Sequence, residues 1–409
     1  MDRESAKKLI RNTFQSSFDK EKFAYFTKNL LKHYDESKAF HLQGCYIPKA
    51  FKNFIKVYER IGTYIDPEDK KIDILIVYLQ KETTLDRART AQRNFIARYL
   101  KERGEKDAGL VAFVSPDEED WRFSFVKMEY KFEKTPKGNV KVKEKFTPAR
   151  RYSFLVGKNE SSHTAQSCFM PILKNDIYYP KLNEIEEAFS IEKVTKEFYE
   201  KYRNLFLKIK DSLDEIVEKN EEIRQEFQEK GINTIDFSKK LLGQIVFLYF
   251  LQKKGWFGVK KGQKWGSGSK HFLRELFEKK HCDYKNFFND VLEPLFYEAL
   301  RNDRSYDDHY FSYFKCKIPF LNGGLFDPLN DYNWSKTDIL LPDTLFSNNK
   351  TNEDDIGTGI LDIFDCYNFT VKEDEPLEKE VAVDPEMLGK VFENLLEVKD
   401  RKSKGTYYT

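Results

Sequence analysis

Two acids and a lysine form one arrangement in this chain whose residue types could do chemistry. Hydrolysis of a phosphodiester with Mg²⁺ needs two carboxylates to hold the ion and a lysine to activate the attacking water, all within a few ångströms. Asp73, Glu59 and Lys81 surround the apolar run at residues 72–79 and form one candidate set. Asp73 ranks first, both as a catalytic acid and as a metal ligand, because an acid leading into an apolar strand needs a reason. Lys81 follows about 26 Å along an extended chain, so the spacing does not by itself close a site. A second set is Pro116-Asp117 followed by Glu129-Tyr130-Lys131. With residues 121–132 in one strand, Asp117 and Glu129 fall roughly 40 Å apart, too far to share one ion.

Groups suited to phosphate contact lie elsewhere. Residues 86–103 carry Arg87, Arg89, Arg93, Arg98, Lys101 and Arg103 against only Asp86 and Glu102. On a helix Arg89 and Arg93 share a face, with Gln92 alongside. Such a face suits phosphates, which position a protein on DNA without reading sequence; a solvated face paired to distant acids is the plainer alternative. Residues 258–270 mix Lys260, Lys261, Lys264 and Trp265 with glycines, and Arg150-Arg151 adds a basic pair. The loop lacks the Gly-Lys-Ser/Thr ending of a P-loop, so it is read as a DNA-touching loop and not as a nucleotide site. Asn322, Gly323 and Gly324 form a turn, where positive φ is tolerated.

The elements that must position these groups follow from periodicity. Residues 1–34 read as helical, and residues 50–62 as a helix with Phe51, Phe54, Ile55 and Tyr58 on one face and Gly62 as its stop. Residues 71–79 form a buried strand. A helix opened by a threonine cap and closed at Gly104 crosses over to a parallel buried strand at residues 108–114. Residues 121–132 alternate like a half-exposed strand, followed by strands near residues 139–146 and 150–157. An α/β amino-terminal domain with a mixed sheet is expected over residues 1–180, and a mainly α-helical domain over 183–380, with helical periodicity and no strand in its first stretch and a short mixed segment at 360–371. In the latter, residues 237–256 are apolar nearly all round, as a central bundle helix would be.

Bulk properties narrow the classes. The 409 residues exceed one core, so two or three domains are expected. With 70 basic and 68 acidic side chains the net charge is +2, so any polyanion surface is a local patch. Cys45, Cys168, Cys282, Cys316 and Cys366 are scattered and never in CxxC spacing, which argues against a zinc site or disulfide framework and for a reducing cytoplasm. No stretch reads as a signal peptide or a membrane span.

The closing segment carries the family signal. Asp384, Pro385, Glu386, Leu388, Gly389, Phe392, Glu393 and Leu395 lie on an amphipathic stretch, followed by Gly405, Thr406, Tyr407, Tyr408 and Thr409. This order resembles the entry to the S-adenosylmethionine site of type IIG restriction-modification enzymes, a group of adenine-specific DNA methyltransferases. Segments at residues 121–126, 150–157, 163–166, 247–256, 320–326 and 384–389 agree with that family in order. The resemblance implies a nuclease-like first domain, of the class built on two acids and a lysine, then a connector domain at 183–380, and at 381–409 the start of a methyltransferase domain. It implies cofactor contacts by Thr406, Tyr407, Tyr408 and Thr409, Mg²⁺ for any nuclease, double-stranded DNA as partner, and methylation of an adenine amine. The cofactor's glycine-rich loop and the NPPY-type tetrapeptide that holds a flipped adenine are absent, so the chain is expected to be the front part of something longer. The alternative is a non-catalytic DNA-binding or scaffolding subunit that works with a separately encoded methyltransferase or specificity subunit. A regulatory phage-defence component is a third reading.

Overall fold

The computed structural model describes residues 1–37, 39–43, 47–81, 83–86, 88–102, 106–128, 132–134, 140–142, 149–321, 323–348, 357–370 and 377–383. The chain divides into two compact units, residues 1–195 with 372–382, and residues 196–371 with 383–409. In chain order the first elements are helices α1 (Arg3–Phe14) and α2 (Lys20–Leu31), and strands β1 (Phe40–Gln43), β2 (Ile55–Ile65) and β3 (Lys71–Leu79). Helix α3 (Arg89–Glu102) leads to β4 (Ala108–Val114), β5 (Asp120–Lys127), β6 (Phe132–Lys134), β7 (Val140–Val142) and β8 (Arg150–Gly157). Then come α4 (His163–Lys174), α5 (Leu182–Glu187), α6 (Ile191–Lys219), α7 (Glu221–Glu229), α8 (Thr234–Lys253) and α9 (Phe272–Phe277). A two-stranded pair, β9 (Tyr310–Phe311) and β10 (Cys316–Lys317), precedes α10 (Ile360–Phe364) and β11 (Glu378–Glu380).

The first unit is α/β. Its seven-stranded sheet runs β1-β2-β3-β4-β5-β8-β11. The β3/β4 and β8/β11 pairs are parallel and the other pairs antiparallel, so the sheet is mixed. Helix α3 is the β3–β4 crossover and covers one face, packing Phe95, Ile96, Tyr99 and Leu100 on Leu75, Val77, Val111 and Phe113. The opposite face is aromatic: Phe14, Phe23, Phe26 and Phe169 surround Phe123, with ring centroids 5.5–5.8 Å apart. Strand β5 is therefore covered on both faces and buried from Asp120 to Val126, which corrects the half-exposed strand expected there.

Residues 55–65 are the largest departure from periodicity. They form β2, not a helix, and pair antiparallel with β3. The register shifts between Ile55 and Val57 and again between Arg60 and Gly62. Each bulge skips a residue, so Ile55, Tyr58, Arg60 and Thr63 share the α3 face at spacings that mimic a helix. Gly62 stops nothing; it sits inside the strand, where an added Cβ would lie 2.2 Å from the Tyr34 ring. The crossover helix likewise starts at Arg89 rather than at the threonines before it.

The second unit contains many helices. Helix α8 is buried on nearly every side, as its composition indicates. Two π-helical turns, Phe288–Leu292 and Leu295–Ala299, flank Glu293 and Pro294. Strands do occur after residue 183: β9 pairs with β10, and β11 returns to the sheet beside β8. Among the described residues no helix is long and apolar enough to cross a membrane.

Candidate functional site

Asp73 sits near the start of β3 and is fully buried on the α3 face. Its Oδ1 accepts a hydrogen bond from Thr63 Oγ1 at 2.7 Å and lies 3.4 Å from Lys106 Nζ. Its Oδ2 accepts from Tyr99 OH at 2.8 Å and from Arg60 Nη1 at 3.1 Å. Cross-strand pairing explains Thr63, which faces Asp73 directly. Burial, then the neighbouring carboxylate, pushes the Tyr99 phenol well above its ordinary value.

These four donors take the directions a Mg²⁺ would need, so Asp73 does not fit as a metal ligand. Glu59 pairs with Ile76, one residue out of phase with Asp73, and so lies on the opposite face of the sheet. There it meets Lys20 Nζ and, at 3.2 Å, His41 Nδ1. Lys81 is exposed beyond the end of β3. The structure therefore does not bring Asp73, Glu59 and Lys81 together, because Glu59 and Asp73 lie on opposite faces of the sheet and Lys81 lies past the end of β3. In the second set, Asp117 precedes β5 while Glu129, Tyr130 and Lys131 lie outside the described residues.

Further along the same face is a cluster that residue spacing had not assembled. Arg122 and Ser124 on β5, and Arg151 and Ser153 on β8, project toward α3, and Ser124 faces Ser153. The contacts cross over: Arg122 Nη1 donates to Ser153 Oγ at 3.1 Å, and Arg151 Nε to Ser124 Oγ at 3.1 Å. Strand β11 adds Glu378 opposite Arg151 and Glu380 opposite Ser153. Glu378 Oε1 accepts from Arg89 Nε at 2.8 Å and Arg151 Nη1 at 3.3 Å, and Arg93 Nη1 stands 3.7 Å from its Oε2. Arg122 Nη1 donates to Glu380 at 2.9 Å, and Arg122 Nη2 to Asp86 at 2.9 Å. Arg151 also donates from Nη2 to Gln92 Oε1 at 2.9 Å and stacks 4.5 Å over Phe113.

Arg89 and Arg93 thus point inward to acids, not outward to a phosphate backbone. Arg98 is exposed and pairs with Glu102; Arg87 and Arg103 lie outside the described residues. Burial, with the charges of Arg122, Arg89 and Arg93, brings the Arg151 guanidinium down to about 9 against the pull of Glu378.

In the second unit the basic loop is rigidly built. Gly255 (φ +67°) turns the chain after α8, and a Cβ there would meet Gly266 O at 2.5 Å. Gly266 N and Gly268 N both donate to Gly255 O at 3.0 Å. Beneath the loop the buried Lys317 Nζ donates to Gln263 O at 2.9 Å and Asp308 at 2.7 Å, and lies 4.6 Å over the Trp265 ring. Gly262 N donates to Asp308 Oδ2 at 2.7 Å. Of the three expected lysines, Lys261 is engaged with Asp307 and lies 5.1 Å over Tyr310. Lys260 and Lys264 are exposed, with Trp265 beside them.

The second unit also buries an acid that periodicity did not single out. Glu293, between the two π-turns, is wholly inaccessible; its Oε1 accepts from Tyr332 OH at 2.5 Å, and that hydroxyl lies 3.3 Å from Tyr297 OH. Among the described residues no cation pairs with it, and burial holds its carboxyl well above the usual range.

A cleft of about 150 Å³ in the first unit is lined by Cys168, Asn175, Tyr178, Glu184 and Lys193. Its Glu184 is already used, by Tyr178 OH and Lys181 N. Thr406, Tyr407, Tyr408 and Thr409, with the segment from Asp384, lie outside the described residues, as does Asn322. No family model, curated protein or solved structure matches the chain.

Proposed function

We propose that this chain is the amino-terminal part of a type IIG restriction-modification enzyme and serves there to hold double-stranded DNA. In this reading the first unit is a nuclease-like scaffold without a working metal site, and the helical unit is the connector. Methylation of adenine with S-adenosylmethionine, and cleavage if it occurs, belong to the complete polypeptide. The supporting observation is the braced loop at residues 255–268: Lys260, Lys264 and Trp265 reach solvent from a backbone fixed by Lys317 and Asp308. A loop already ordered loses little entropy when it meets a phosphate backbone, and two exposed ammonium groups supply a sequence-independent attraction. The four donors on Asp73 favour the related reading of a non-catalytic DNA-binding subunit that works with a separately encoded methyltransferase.

Fluorescence anisotropy with a short DNA duplex tests the loop. The Lys260→Glu/Lys264→Glu chain is expected to bind about tenfold more weakly near physiological salt, with the logarithmic salt slope reduced by about 2. Equal affinity and slope in parent and variant would remove the DNA-holding role from this loop. Plasmid nicking in Mg²⁺ that Asp73→Ala abolishes would instead restore a nuclease to the first unit.

A further inference from the structure

The arginine cluster on the α3 face concentrates positive charge in one place. Four guanidinium groups, from Arg89, Arg93, Arg122 and Arg151, meet Glu378, Glu380 and the half-exposed Asp86. The Nε of Arg122 is buried and has no hydrogen-bond partner among the described residues. Burying ion pairs is an expensive way to attach a strand, since apolar side chains of similar volume do as well or better. Strand β11 itself is slight: three residues at the sheet edge, with Arg151 N donating to Leu377 O at 2.9 Å and Val381 N to Ser153 O at 2.8 Å.

Its sequence setting is acidic, with Glu373, Asp374, Glu375, Glu378 and Glu380 in close succession. Guanidinium groups that converge from two strands and a helix, with serine hydroxyls between them, are a constellation for oxyanions of fixed geometry. The carboxylates of alternate β11 residues reach into it from one face, as successive anionic groups of a linear ligand would.

We propose that the slot formed by Arg89, Arg93, Arg122 and Arg151 is a binding site for the phosphate groups of a polyanion, and that β11 occupies it in cis as an acidic stand-in. The site lies in the first unit and does not depend on the loop at residues 255–268. Displacing β11 uncovers the slot at the sheet edge, where β8 becomes the outermost strand.

Amide hydrogen exchange on the full chain tests this, in a Lys260→Glu/Lys264→Glu background so that loop binding does not contribute. Millimolar pyrophosphate is expected to speed exchange of the Arg151 and Val381 amides severalfold while leaving the β3–β4 amides unchanged. Unaltered exchange at both amides overturns the proposal. Glu378→Gln/Glu380→Gln, which removes the competing charge while keeping shape, is expected to bind pyrophosphate at least tenfold more tightly than the parent. A folded variant with no such gain also overturns it, and if the variant does not fold the exchange measurement on the parent decides. A short DNA duplex in place of pyrophosphate identifies the source: acceleration by both assigns a nucleic-acid backbone, and by pyrophosphate alone a free phosphate.

Discussion

Asp73 in the sheet unit and Glu293 in the helical unit are both wholly inaccessible carboxylic acids, and the chain treats them in opposite ways. Asp73 receives two cations and two hydroxyls, all from elements that strand pairing and the α3 crossover bring together. Glu293 receives one phenol directly and a second behind it, and no cation among the described residues. A buried charge is tolerable when paired, and an unpaired buried acid keeps its proton instead. The sheet can deliver cations because its neighbours are fixed by register. The π-turns around Glu293 are lined by Phe237, Phe288 and Tyr297, which offer only rings and hydroxyls. Burial alone therefore does not mark a catalytic acid; what meets the carboxyl does.

That contrast is open to direct attack. The largest effect is expected from Asp73→Ala, which removes the carboxylate that both Arg60 and Lys106 face. Loss of about 3–5 kcal/mol is expected, read as faster exchange of β3 and β4 amides in increasing denaturant. A loss below about 1 kcal/mol would mean the cluster is no better than surface pairs.

Next in size is a pH response of the helical unit. Folded Glu293 holds its proton to higher pH than the unfolded chain, whose carboxyl titrates near 4.5. The unfolded state therefore binds fewer protons above that value, and stability falls as pH rises, by at most about 1.4 kcal/mol per pH unit. The stabilisation is complete below pH 4.5. Exchange of α8 amides between pH 5 and 8, corrected for intrinsic rates, should show the decline in the parent and lose it in Glu293→Gln. A parent with the same profile as that variant would mean Glu293 is not held protonated. The smallest effect belongs to Tyr332→Phe, which removes one hydrogen bond to Glu293 and should cost about 1 kcal/mol in the same assay.

Much of the sheet was legible from the residues alone. The apolar runs at β3 and β4 and the crossover between them fix a parallel pair, and the structure has it. The misreading of β2 has a definite origin: two bulges reset the alternation of side chains, and a period of two interrupted twice looks like 3.6. The buried polar cluster had a signal that periodicity arguments passed over. Arg122-Phe123-Ser124 and Arg151-Tyr152-Ser153 repeat a basic–aromatic–hydroxyl pattern, and Glu378-Lys379-Glu380 answers it with acids at the same spacing. Each puts two polar groups on one strand face, but no local pattern says which distant strands will be neighbours. The face expected of Arg89 and Arg93 is turned inward for that reason, since their partner Glu378 arrives from far down the chain. The basic loop was readable because glycine, lysine and tryptophan together describe an exposed turn; its bracing by Lys317 was not.

The distance between Arg151 and Glu378, 227 residues along the chain, also bears on how the protein is made. A ribosome adding residues at ordinary speed needs roughly 11–45 s to travel that far. Throughout that interval the β8 edge of the nascent sheet is open and Arg151 is without Glu378, with Gln92 and Ser124 as its side-chain partners. The last strand of the first unit to be synthesised is thus the one that brings Glu378 to Arg151 and completes the sheet.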